Sequence, residues 1–184
     1  MNPPSLTGAC GKREPDYQEL QLAYLTWTKD LELGIEVIDK QHARLVSYIN
    51  DLDDAMRLPA SGRREGVLNV LENALDYTES HFSYEEAMLD SVGYPFLKAH
   101  NKLHEMFIKR MNNYKQRFAD GEEIAIELRN TLARWLVNHI KSEDADYAKY
   151  VKKHLAATHS AEPVPQPKPR DAATATLWQR LFGK

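Results

Sequence analysis

Apolar residues along residues 35–156 recur at intervals of three and four, and alternating β-branched runs are scarce, so the pattern predicts helices rather than strands. Four segments stand out. The first carries Ile38, Leu45, Val46, Ile49, Leu52 and Met56 and is expected to stop at "RLPASG", where Pro59 and Gly62 break it. The second runs through Val67, Leu71, Ala74, Leu75, Phe82, Met88 and Leu89 to "SVGYP". The third holds Phe96, Leu97, Leu103, Phe107, Ile108 and Met111 and ends at "ADG". Ile124, Leu128, Leu132, Trp135, Leu136, Ile140 and Tyr147 mark the fourth. Short connections between them predict antiparallel neighbours, hence an all-α, up-down-up-down four-helix bundle.

The same pattern divides the chain. Residues 1–26 read as an N-terminal arm and 27–157 as the bundle, with Trp27 or Leu31 packed against it. Residues 158–172 include the alternating prolines of "AEPVPQPKPR", an extended linker. In 173–184, Leu177, Trp178, Leu181 and Phe182 can share one face of a short amphipathic helix, a candidate surface for docking a protein partner.

Composition narrows the classes of function. The 24 basic and 27 acidic residues leave a net charge of −3, so nothing suggests a nucleic-acid partner. Cys10 is the only cysteine, which excludes an internal disulfide and a thiolate metal cage. No run of about 18 apolar residues spans a membrane. The first residues lack a signal-peptide core, and a cytoplasmic location is expected.

Polar residues on the apolar faces change the picture. His42 falls in the row of Ile38, Leu45 and Ile49. His81 and Glu85 continue the row of Ala74 and Thr78, and His100 and His104 lie in line with Phe96, Leu97 and Phe107. His139 follows Leu128, Leu132, Trp135 and Leu136, while His154 and His159 fall outside the pattern. A single inward histidine is ordinarily a core residue bonded to a carbonyl. Five of them with a carboxylate are another matter, because each unpaired buried polar group costs on the order of 1–3 kcal/mol. A metal turns that cost into folding free energy. Imidazole and carboxylate without sulfur suit iron, zinc, copper or nickel, and five histidines exceed the needs of one four-coordinate ion. Two metals bridged by a carboxylate are expected. "HIKSEDADY" offers the last carboxylate, where helical spacing from His139 favours Glu143 or Asp146 and reaches Asp144 only through a local distortion.

Three stretches, "WTKDLELGIEVIDKQHARLVSYIN" (27–50), "HFSYEEAML…GYP…HNKLHEMF" (81–107) and "WLVNHIKSEDADY" (135–147), resemble the hemerythrin family in its bacterial form. The resemblance covers essentially the whole predicted bundle and fills all seven ligand positions of the family. It implies two iron ions with an oxo or hydroxo bridge. His100, His104 and His139 would hold one iron, His42 and His81 the other, and Glu85 and Asp144 would bridge, Asp144 replacing the choice by spacing. It implies reversible dioxygen binding, for transport, storage or sensing, with no catalytic residue. Leu103, Trp135 and Leu136 are candidates for the walls of the oxygen pocket. The alternative is a di-iron redox enzyme, or a sensor module docked to a partner through its C-terminal tail.

Overall fold

A computed structural model of the chain describes residues 23–158. Residues 159–172 of the linker and the docking candidates Leu177, Trp178, Leu181 and Phe182 lie outside the described residues, as do residues 1–22 of the arm; Thr158, expected to open the linker, ends the last helix.

Helix α1 spans Glu36–Arg57, α2 Ala60–Ser91, α3 Leu97–Ala119 and α4 Ala125–His139; a π-helical segment, Ile140–Asp144, joins α4 to α5, Ala145–Thr158. The fourth arm is therefore one continuous helical path with a widened turn in it. Helix α1 packs on α2 and α4, and α2 packs on α3. The described residues contain no strand. The chain folds as the all-α, up-down-up-down bundle that its periodicity predicts.

Each element ends for a local reason. Pro59 lacks the N–H needed to continue α1 and instead precedes α2. Gly62, expected to help stop the first helix, lies within the first turn of α2, where its N–H reaches the Pro59 carbonyl at 3.0 Å. Gly93 and Gly121, at φ +67° and +96°, follow the last turns of α2 and α3. They let Tyr94 N–H reach the Leu89 carbonyl and Glu122 N–H the Arg117 carbonyl, each at 3.0 Å. These are the six-to-one bonds that close a helix with a left-handed residue.

The chain preceding α1 is fastened by side chains. Asp39 accepts N–H bonds from Leu33 at 2.7 Å and Gly34 at 2.8 Å. Asn50 makes two bonds of 2.9 Å with the Leu25 backbone. Leu31 is buried and Trp27 packs on the same core. One apolar cluster includes Ile38, Val46, Leu89, Leu136 and Tyr147, and a second includes Leu52, Leu71, Phe82, Met111 and Leu128. Phe96, placed inward by spacing, is 66% exposed because it precedes α3 rather than lying within it. No helix among the described residues is long and apolar enough to cross a membrane.

Candidate metal centre

The three- and four-residue spacing turns His42 of α1, His81 and Glu85 of α2, His100 and His104 of α3 and His139 of α4 inward, and all are buried. Asp144 joins them at 0% exposure. The π segment explains how. Ala145 N–H reaches back five residues to the Ile140 carbonyl, so the turn closes over one residue more than an α turn. That extra residue carries Asp144 onto the face of His139, with Oδ1 3.1 Å from Nε2. Glu143 stays at the rim with its side chain 38% exposed, and the Asp146 side chain is 74% exposed. Of the three carboxylates that regular spacing leaves open, the structure brings Asp144 among the histidines.

The rings form two groups. His100, His104 and His139 stand with centroids 4.4, 5.0 and 5.1 Å apart, and His42 and His81 meet edge to face at 4.9 Å. The carboxylates lie between the groups. Asp144 directs Oδ2 to His42 Nε2 at 3.2 Å and Oδ1 to His139. Glu85 faces His100 at 3.5 Å through Oε1, and His81 at 3.5 Å and His104 at 3.6 Å through Oε2. Two donors at right angles, each about 2.1 Å from one ion, stand about 3 Å apart. The donor spacing here is compatible with that geometry.

Proton placement sharpens the case. His81 Nδ1 bonds Gln41 Oε1 at 2.8 Å, His104 Nδ1 bonds Glu86 Oε1 at 3.0 Å, and His139 Nδ1 faces Glu143 Oε2 at 3.5 Å. An acceptor at Nδ1 keeps the proton there and leaves Nε2 as a lone pair. His104 thus turns a lone pair inward, and its Nε2 stands 3.0 Å from His139 Nε2, beside the carboxylates. Both oxygens of Glu85, both of Asp144 and Nε2 of His100 have no hydrogen-bond partner among the described residues. Buried acceptors that face only one another are unfavourable unless a cation lies between them. The donor set fits a metal.

Electrostatics agree. Burial lowers His42 to about 4, His81 to about 3 and His139 to about 2, so these imidazoles stay neutral and free to ligate. Burial raises Asp144 well above the usual carboxylate range, and the charge of Glu85 raises it further. Asp144 can give up its proton at this depth only with positive charge nearby.

Gln41, Glu86 and Glu143, which hold the outer imidazole nitrogens, escaped the sequence reading as orienting groups. Their only signal is adjacency: Gln41 precedes His42, Glu86 follows Glu85 and Glu143 precedes Asp144. Phe82 stacks on His104 at 3.6 Å, and Trp135 on His139 at 4.3 Å. Of the three pocket candidates, Leu103 and Trp135 line an open cleft beside His139, while Leu136 is buried in the core.

A four-helix bundle with imidazoles and carboxylates gathered in its interior is a metal-binding helical bundle. The family model for the hemerythrin HHE cation binding domain matches residues 33–151. The chain belongs to the hemerythrin family. It is 47% identical over 134 residues to the bacteriohemerythrin of Stenotrophomonas maltophilia, covering 73% of this chain and 86% of that one. Against the Pseudomonas aeruginosa bacteriohemerythrin it is 40% identical over 162 residues, 88% of this chain and all of the other. The myohemerythrin of Theromyzon tessulatum is 33% identical over 121 residues, 66% of this chain and 88% of that protein. The crystal structure of a hemerythrin leucine-to-tyrosine mutant superposes with a TM-score of 0.65 at 25% identity, covering 71% of this chain and 98% of the other.

Proposed function

We propose that this chain holds two iron ions and binds dioxygen reversibly, as a carrier, store or sensor rather than as a turnover catalyst. The observation that carries the proposal is the set of unpartnered oxygens of Glu85 and Asp144, set between three imidazoles on one side and two on the other. In this reading His100, His104 and His139 hold one iron, His42 and His81 hold the second, and the two carboxylates span both, with an oxo or hydroxo bridge between the ions. The His42–His81 side carries one imidazole fewer and so retains room for an exogenous ligand. When bound, the two irons supply the electrons that dioxygen takes up.

The protein's part is to hold and to exclude. Gln41 and Glu86 fix the tautomers that turn Nε2 of His81 and His104 inward, and Glu143 lies 3.5 Å from His139 Nδ1. Phe82, Trp135 and buried Leu136 keep water from the imidazoles, and Leu103 covers the outer approach to His139. The names of the relatives, bacteriohemerythrin and myohemerythrin, support the same function.

The test is anaerobic loading of the metal-free chain with ferrous iron, a count of bound iron, then cycles of dioxygen addition and removal under a visible spectrum. Two irons per chain and a band that appears with dioxygen and bleaches when it is stripped are expected. Iron uptake followed by one-way conversion to a ferric form would rule out reversible binding, and no uptake would overturn the site.

A further inference from the structure

The cleft beside His139 has features that ligation does not use. It encloses about 270 Å³ between α3 and α4, with Arg110 from one helix and Thr131, Arg134, Trp135 and Asn138 from the other. Both arginines are exposed; Arg110 lies 6.0 Å over the Tyr114 ring, within the field of Glu127, but neither arginine has a carboxylate within 4 Å among the described residues. Glu143, the one acidic group in the lining, faces His139 Nδ1. Trp135 forms part of the wall and also stacks on His139, with centroids 4.3 Å apart and 17° between the planes. Two exposed guanidiniums and an amide beside an aromatic ring are donors that a planar oxyanion takes up, while the Thr131 hydroxyl is already bonded to Tyr114 at 2.9 Å. The concave shape and small volume suit a small molecule rather than a protein surface.

We propose that this cleft binds a small planar organic anion of the enediolate class and serves as the entry point for an anionic one-electron reductant. The binding half stands on the cleft alone, and the delivery half rests on the di-iron reading above. Seated there, the anion lies against Trp135 and His139, both of which line the cleft. For ascorbate, each transfer removes one electron and one proton from the monoanion and leaves its radical anion. One iron(III) becomes iron(II), and the proton passes to water. The physiological sense is the return of a centre that has oxidised irreversibly to its ferrous form.

The test uses ascorbate and the full-length chain, with Arg110→Glu and Arg134→Glu in the cleft. Arg63→Glu, exposed at the start of α2, is a control with the same change in net charge. Ascorbate titrated under argon into the metal-free chain, followed through the indole N–H resonances, should give saturable binding. Affinity should weaken by about tenfold or more in each cleft variant and hold in the control. With the ferric chain, the rate of reduction by ascorbate should saturate and fall similarly in the cleft variants. Reduction by cationic hexaammineruthenium(II) should not slow. Absence of saturable binding, or equal loss in Arg63→Glu, overturns the site. Binding that is lost with no change in reduction rate overturns the delivery role alone. A chain that takes up no iron refutes the di-iron reading, while the titration still decides the anion site.

Discussion

The Nε2 atoms of His104 and His139 stand 3.0 Å apart, beside Glu85 and Asp144 oxygens that have no hydrogen-bond partner among the described residues. Buried carboxylates left without donors favour positive charge between them and the imidazoles, which suits the folded core to a state that includes a cation. Adding ferrous iron anaerobically should raise the melting temperature by about 10 °C or more once the ion exceeds its dissociation constant a thousandfold. Differential scanning fluorimetry with and without a chelator checks this.

The carboxylates after His139 should separate cleanly. Under the proposed di-iron assignment, Asp144→Asn should cost at least one of the two irons. Glu143→Gln should keep both but weaken binding by about 10- to 100-fold, as loss of an orienting partner does. Asp146→Asn should change nothing, because that side chain points to solvent. Iron-to-protein ratios across a chelator series distinguish the three.

Phe82 is buried, stacks on His104 with an interplanar angle of 3°, and meets Phe107 and Trp135 edge on. Phe82→Ala should cost about 3–5 kcal/mol of stability. Phe82→Leu, which preserves most of the apolar volume, should cost distinctly less. Urea denaturation of the metal-free variants measures both.

Acid should destabilise the metal-free protein well before its surface carboxylates titrate. His42, His81 and His139 stay neutral when folded down to about 4, 3 and 2, whereas in the unfolded chain each takes a proton near 6.5. Unfolding therefore takes up protons below pH 6.5, and the stability these groups contribute is lost as pH falls from there toward their folded values. Urea midpoints at pH 7.5, 5.5 and 4.5 should fall steeply. A flat profile would show that the imidazoles are not buried as neutral groups.

The inward faces of all four helical arms were legible, because three- and four-residue spacing alone decides which way His42, His81, His100, His104 and His139 turn. Asp144 was not legible from spacing. Only a backbone that departs from α geometry brings a residue five positions on to the same face, and nothing in "HIKSEDADY" announces a π turn. The family resemblance pointed to Asp144 without giving that reason. Gln41 and Glu86 were hidden differently: whether a polar neighbour of a ligand bonds an imidazole depends on rotamers and helix rotation, which periodicity does not encode. The stop expected at Gly62 failed because a glycine in the first turn of a helix costs little when Pro59 has already set the direction of the chain.

The outer nitrogens of the histidines are not held alike. On the three-histidine side, carboxylates face His104 and His139, while on the other side His81 meets the neutral amide of Gln41 and His42 Nδ1 has no partner among the described residues. A carboxylate-backed imidazole is the stronger electron donor. Under the proposed assignment the two irons are chemically unequal from the start. In a half-reduced centre the added electron should settle on the His42–His81 side, the side with room for an incoming ligand. The fold would then distinguish a donor half from an acceptor half through three side chains that never touch the metal.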